Sequence, residues 1–341
     1  MLTRIVACWS LFTILTGAVK GLWTLLMVRF VFGAAEAGAF PNLARGLARW
    51  FPASERARAN GVMWMGARIG GSLAPPLAAL LVTQIGWRLM FVIFGAVGII
   101  WCVIFWRWFR DDPAEHPSVT PQELAQIRAG VKPVMAPVAN PWRRIFTDGN
   151  LWAIFWMYFC SAYGFFFFVS WLPTFLMKDH GLTLEKSGIY AAMPLAFGAV
   201  GCLAGGVLAD WLVVRTGNVK WSRRAIGIGS YALAAVGFGL ASLASTPLTA
   251  VLCLAFAEGF HDFSLSVSWA TVVDVGGRLG GTTSGFMNMA SSLSAVLSSV
   301  SAAWLATTFG SFNAMLAAAA VTYVIGALLW LRIDPTKPVS D

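Results

Sequence analysis

Residues 22–58 read LWTLLMVRFVFGAAEAGAFPNLARGLARWFPASERAR. The part from Leu22 to about Leu47 is apolar over more than the roughly 20 helical residues needed to cross a hydrocarbon core about 30 Å thick. It ends in a cluster of cations, Arg45, Arg49, Arg56 and Arg58. A long apolar helix that stops where arginines begin is the pattern of a membrane span meeting a cytoplasmic loop. Two ionisable residues, Arg29 and Glu36, lie inside the apolar part.

Working outward, nine more stretches fit the same length rule, giving predicted spans at 4–19, 22–47, 57–82, 88–108, 150–177, 186–210, 223–244, 248–272, 283–306 and 311–331. If the first enters from the cytoplasm, 18 of the 24 Lys and Arg residues fall on that side. Only Lys20, Arg88, Lys178 and Lys186 fall on the other, with Arg29 and Arg68 inside spans. Such asymmetry is the positive-inside rule. The expectation is an all-α polytopic membrane protein of the cell inner (plasma) membrane with both termini cytoplasmic. Several tryptophans near span ends (Trp23, Trp50, Trp87, Trp171, Trp330) suit interfacial belts.

Composition agrees. At 58% hydrophobic and 11% charged residues, with a mean hydropathy of +0.72, a soluble chain of this length could not hide its apolar surface. The net charge of +9 sits in alternate loops, which orients helices against anionic headgroups and implies no nucleic-acid partner. The five cysteines fall within spans without metal-ligand spacing and read as small buried hydrophobes. No nucleophile–base pair, metal motif or nucleotide loop points to an enzyme, and no cofactor is expected.

The longest polar interval divides four spans from six. The expected organisation is an incomplete N-terminal helical bundle (1–108), an inter-bundle linker (109–149), a C-terminal bundle (150–332) and a tail (333–341). In the linker, Thr120-Pro121-Gln122-Glu123 is a capping box opening a short helix from Gln122 to Ala129. The halves resemble each other at an offset of 224. Gly61-Val62-Met63-Trp64-Met65 falls on Gly285-Phe286-Met287-Asn288-Met289, Gly86 on Gly310 and Trp106 on Trp330, and each half closes on an Asp-Pro, Asp112-Pro113 and Asp334-Pro335. In register over three spans these matches argue for parallel repeats. Spans five and six lack partners at this offset, so the chain reads as ten helices of an expected twelve, the missing pair preceding residue 1.

Ionisable groups inside a membrane are functional candidates by default. Arg29 and Glu36, seven residues apart, share one helix face with about 10 Å of rise between them. A guanidinium suits a carboxylate, and a carboxyl in apolar surroundings can carry a proton. Glu258 and Asp262 form an i, i+4 pair in the eighth span with His261 between them. Asp262 is a candidate for proton coupling, and His261 reads equally as a proton relay or a hydrogen-bonded packing residue. In the aromatic fifth span, Tyr163 is the candidate substrate contact, and Pro173 permits a bend. Asn288 is deep enough in the ninth span to bind a ligand. Arg68 is expected to snorkel toward the cytoplasm. The pairs Gly66/Gly70, Gly201/Gly205 and Gly281/Gly285 allow close helix crossings. Asp210 with Arg215, and Glu55 with Arg56, read as gating groups in cytoplasmic loops.

The motifs Arg29-x6-Glu36-Ala37-Gly38-x-Phe40-Pro41, Trp50-Phe51-Pro52-x2-Glu55-Arg56-x-Arg58-Ala59, Gly86-Trp87-Arg88, Asp111-Asp112-Pro113-Ala114-Glu115-His116-Pro117 and Trp171-Leu172-Pro173-Thr174 together resemble the anion:cation symporter family of the major facilitator superfamily. So do Asp274-Val275-Gly276-Gly277, Ser284-Gly285-x-Met287-Asn288 and Ile333-Asp334-Pro335-Thr336. The resemblance covers essentially the whole chain. It implies two pseudo-symmetric helical bundles working by alternating access, and proton-coupled uptake of an organic anion, either a sugar acid such as galactonate, glucarate or a hexuronate, or an aromatic acid such as phthalate. It also implies that Arg29 and Glu36 serve anion binding and proton coupling, that Asn288 is a substrate ligand, and that the Asp210 loop is the second copy of a gating motif. The chain departs from the pattern in lacking the first copy of that motif, and in reading Ser292-Leu293-Ser294-Ala295 where Asn-x-Gly-Gly is usual. Expected partners are a small organic anion, protons and the lipid bilayer, with the chain a monomer. A non-transporting sensor or inactive remnant, and a proton-independent anion exchanger, are the alternatives left open.

Overall fold

The computed structural model describes residues 1–52, 55–129 and 141–339. Among them are helices and turns and no strand, as the all-α reading requires. The helices are α1 (Leu2–Ala18), α2 (Leu22–Glu36), α3 (Ala39–Trp50), α4 (Arg56–Trp108), α5 (Pro121–Ala129), α6 (Pro141–Thr147), α7 (Gly149–Ser170), α8 (Leu172–Lys178), α9 (Leu184–Thr216), α10 (Val219–Ser242), α11 (Pro247–Gly276), α12 (Gly280–Phe309) and α13 (Asn313–Trp330).

All ten predicted spans are helical, but their punctuation differs. The second is interrupted at Ala37-Gly38, directly after Glu36. The fifth breaks at Trp171, where Pro173 sits in the first turn of α8. The third and fourth run as α4, broken at Gly86, whose φ of 80° and ψ of 158° are non-helical. Seven stretches of the described residues are long and apolar enough to cross a membrane. The number is below ten because α11 and α12 are joined through a 3-10 turn into one stretch, Pro247–Phe309, because α1 has 17 residues, and because the part of α4 carrying Arg68 precedes the qualifying stretch at Leu80–Trp108.

Several helix starts are set by side-chain caps, which meet backbone donors that lipid cannot. Thr120 accepts from Glu123 N at 3.2 Å, so the predicted linker helix is present as α5. Asp148, Asn218 and Thr246 cap α7, α10 and α11 in the same way. The rest of the Pro-broken linker, 130–140, lies outside the described residues.

The chain divides into two compact units, 1–52 with 74–132, and 53–73 with 133–341, so the boundary falls inside α4. In the first unit α1 lies close against α4: a Cβ on Gly95 would meet the Ser10 carbonyl at 2.6 Å and one on Gly98 would strike the Ser10 side chain. Trp50 closes the end of this unit, donating from Nε1 to Arg110 O at 3.3 Å and packing edge-on against His116.

In the second unit, α9 packs on α11 through small residues. A Cβ on Gly201 would collide with Gly259 O and one on Gly205 with Phe263 O, so the predicted Gly201/Gly205 crossing exists. A Cβ on Gly66, Gly70 or Gly281 would meet no atom within 4 Å among the described residues. The close of this unit is fixed by Asp334. Its backbone N–H donates to Asn150 Oδ1 at 2.9 Å, Asn150 Nδ2 returns a bond to Asp334 O at 2.9 Å, and Lys220 Nζ stands 2.6 Å from its carboxylate. Burial pushes this carboxyl up, but Lys220 together with the hydroxyl and amide of Thr336 outweighs it and holds the carboxyl down at about 2.

The repeat read at an offset of 224 has structural counterparts. Gly86 and Gly310 both take positive φ, 80° and 72°, a region closed to most side chains. Asp112 accepts from Ala114 N at 2.9 Å and Asp334 from Thr336 N at 3.1 Å, the same Asx turn on both Asp-Pro pairs.

Candidate functional site

In the first unit, Arg29 and Glu36 both stand exposed on α2, a helix without a buried residue. The Arg29 guanidinium lies over the rings of Phe91, at 5.1 Å, and Phe32, at 5.6 Å. Among the described residues no carboxylate pairs with it. Aromatic faces hold a guanidinium by its π-electrons and leave its forked N–H edge for a planar anion. Glu36, the last residue of α2, sits two turns on at the helix break.

In the second unit, α11 carries a buried polar cluster. Arg68, from α4, is 8% exposed and forms a bidentate ion pair with Asp262, Nε to Oδ2 at 2.5 Å and Nη2 to Oδ1 at 2.6 Å. Its guanidinium lies 4.2 Å over the Phe165 ring and 5.9 Å from that of Trp64. Arg68 therefore does not snorkel out. The pull of a buried carboxylate in low dielectric exceeds what a water-exposed end of the stem would gain. The i, i+4 spacing does bring Glu258 and Asp262 together, and Arg68 Nη2 stands 3.9 Å from Glu258 Oε1. Both acids are 0% exposed.

His261 occupies the neighbouring position. Its Nδ1 lies 2.7 Å from the Tyr323 hydroxyl and 3.0 Å from that of Ser161, while Phe165 stacks on its ring at 10°. With Nδ1 accepting from a hydroxyl, the imidazole is neutral and Nε2–H faces Asp262 Oδ1 at 3.5 Å. The geometry is that of a hydrogen-bonded packing residue which also orients Asp262. Ser266 and Trp269 continue the face: Ser266 Oγ donates to Cys202 O at 2.9 Å and Trp269 Nε1 donates to Tyr158 OH at 3.1 Å. Glu258, His261 and Asp262 offer three ligand atoms within 4.8 Å of one another. Arg68 already supplies the cation there, so the set is poorly suited to a metal.

Tyr163 is buried, with its hydroxyl 2.7 Å from Ser301 Oγ. Asn288 is half-buried on α12. A cavity of about 260 Å³ opens elsewhere in this unit, beside Trp171, Lys178 and Asp179. Its acid is already engaged, accepting from Ser311 Oγ at 2.8 Å and Phe312 N at 2.7 Å.

Of the predicted gating residues, Asp210 accepts from Arg58 N at 2.8 Å, so its carboxylate sits on an orphan amide in the first turn of α4, where the helix dipole favours an anion. Arg215 is exposed and its guanidinium lies 5.3 Å over Trp211. Arg223 bonds the Asp274 carboxylate at 2.6 Å and Arg224 donates to Ile333 O at 2.7 Å. Glu55 is exposed, and the Arg56 side chain lies outside the described residues.

A family profile described as Major Facilitator Superfamily matches residues 1–299. A probable sulfoacetate transporter of Cupriavidus necator is 32% identical over 335 residues, covering 98% of this chain and 77% of that one. A chloroplastic ascorbate transporter of Arabidopsis thaliana is 30% identical over 338 residues. The match covers 98% of this chain and 62% of that one, so this chain spans less than two thirds of the plant protein. In fold, the chain is similar to the E. coli fucose:proton symporter, with a TM-score of 0.71 at 10% identity over 97% of this chain and 82% of that one.

Proposed function

The chain belongs to the Major Facilitator Superfamily, and from that premise we propose that it carries a small organic anion across the membrane in symport with protons. The fold and relatives are those of membrane transporters rather than enzymes. The substrate class follows from two relatives whose names specify anions, sulfoacetate and ascorbate. The observation that carries the reading is the pair on α2: a guanidinium held against aromatic rings without a carboxylate partner, and a carboxyl two turns away at a helix break.

In this reading Arg29 binds the anionic group bidentately, Glu36 exchanges the proton, and Tyr163 and Asn288 contact the body of the substrate. Asp262 takes part in coupling. Asp210, Arg215, Glu55 and Arg56 belong to the gates. A four-helix bundle (1–108) and a six-helix bundle (150–332), joined by 109–149, form the machinery. In this reading both termini are cytoplasmic, which the charge asymmetry of the loops supports, and the chain acts as a monomer in a plasma membrane.

The test is uptake of radiolabelled sulfoacetate, ascorbate and glucuronate into proteoliposomes holding the purified chain, with and without an inward proton gradient. Accumulation of one of them that collapses with a protonophore is expected. Glu36→Gln should abolish that accumulation yet spare exchange of pre-loaded substrate. Uptake indifferent to the gradient would show facilitation or anion exchange instead, and no uptake of any organic anion would overturn the reading.

A further inference from the structure

Glu258 is 0% exposed, and among the described residues neither carboxylate oxygen has a hydrogen-bond partner. The cation beside it, Arg68, is committed to Asp262 through two short bonds and reaches Glu258 Oε1 only at 3.9 Å. Arg68 and Asp262 together are neutral, so an ionised Glu258 would leave one net negative charge buried without a donor, a state that costs several kcal/mol. The remaining groups around it do not supply the missing charge. On its own helix His261, with Nδ1 accepting from a hydroxyl, is neutral. α9 contributes Cys202, α7 Tyr158, α13 Tyr323 and, behind it, α10 Tyr231, all ordinarily uncharged at neutral pH. The α12 sequence carries no ionisable side chain. Gly198 of α9 closes the remaining side: a Cβ there would strike Asp262 Oδ2 and approach Glu258 Cγ to 3.3 Å.

We propose that Glu258 is a proton-binding site, neutral while Arg68 holds Asp262, and that it gives up its proton when the guanidinium turns from Asp262 to it. The exchange needs little motion, because one Nη2 already lies between the two acids at 2.6 and 3.9 Å. It balances: the proton that leaves Glu258 Oε is taken up by Asp262 as its partner departs, so the site keeps one guanidinium, one carboxylate and one proton. This site lies in a different unit from Glu36. As a step in transport it rests on the symport reading above; as a proton site it does not.

Infrared difference spectroscopy on the purified chain in lipid, at neutral pH in sodium-free buffer, tests it without any substrate. The wild type minus Glu258→Gln spectrum is expected to show the C=O stretch of one protonated carboxyl. Glu258→Asp should shift that band rather than remove it, which keeps the assignment readable if the Gln variant folds poorly. Asp262→Asn, which leaves Glu258 as the acid within reach of Arg68, should lose the band and gain a carboxylate stretch. A wild type and Glu258→Gln that share the same carboxyl region would overturn the proposal, as would a band that persists in Asp262→Asn. Loss of the band on adding sodium ions at constant pH would also overturn it, by showing a sodium site. A Glu258 band together with gradient-independent uptake would leave the proton site standing and refute the symport reading.

Discussion

Breaking the Arg68–Asp262 pair from one side tests whether the second unit is built around it. Arg68→Met keeps most of the stem and removes the charge, leaving Asp262, at 0% exposure, without its two donors. Two charges about 4 Å apart interact by about 4 kcal/mol at an effective dielectric of 20, and removal of one partner of a buried pair typically costs about 3–5 kcal/mol. The two figures agree. For a chain of this size each kcal/mol shifts Tm by about 2 °C, so Arg68→Met should unfold roughly 6–10 °C lower in a dye-monitored melt of the detergent-solubilised protein. The double variant Arg68→Met with Asp262→Leu replaces the pair by apolar groups of similar shape, a change that is often neutral. It should recover to within about 2 °C of the wild type. If Arg68→Met melts with the wild type, or the double variant melts no higher than Arg68→Met, the pair is not the buried, mutually dependent unit described above.

Other outcomes follow from single contacts. Gly201→Val should abolish recovery of folded protein, because its Cβ would collide with Gly259 O, whereas Gly70→Ala meets open space and should leave size-exclusion profile and yield unchanged. The Asp334 carboxyl, held near 2 against an ordinary value of 3.8, contributes stability that is complete above its unfolded value. That contribution is lost as pH falls toward 2, so Asp334→Asn should lower Tm at pH 7 and converge on the wild type in strongly acidic buffer. Arg29→Lys should lose at least tenfold in uptake at fixed substrate, since an ammonium cannot make the planar two-bond contact a guanidinium makes; uptake within twofold of the wild type would remove Arg29 from anion binding.

The helices were legible in the sequence because a bilayer imposes length and apolarity on each span separately, so no knowledge of packing is needed. The linker helix was legible from Thr120 and Glu123, whose capping box is local chemistry. Arg68 was misread for the opposite reason. Whether an arginine snorkels or pairs depends on which residue 194 positions away faces it, and one sequence does not state that. A signal was present: a span that buries Asp262 and Glu258 requires a cation from somewhere, and Arg68 and Arg29 were the two arginines inside spans. The glycine pairs make the same point. Gly201/Gly205 and Gly66/Gly70 share one spacing, yet only the first meets a neighbouring backbone, because GxxxG specifies that close approach is possible and not that a partner is there.

The internal repeat separates scaffold from function more sharply than burial does. Features that shape the backbone recur: Gly86 and Gly310, 224 residues apart, at positive φ, and Asp112 and Asp334, 222 apart, in matching Asx turns. The ionisable residues of the spans do not. Arg29 falls on Cys253, Glu36 on Phe260 and Arg68 on Ser292, while Glu258 and Asp262 fall on Ala34 and Gly38. A charge inside a membrane is costly wherever it stands, so a duplicated bundle that needed such charges only to pack would have no reason to place them differently in its two halves. A guanidinium and a carboxyl on α2, and two acids on α11 with the cation supplied by α4, are the arrangement of halves that share an architecture and divide the chemistry. In the proposed division α2 would present its open guanidinium to an anion, while α11 keeps its charges closed on one another with Arg68.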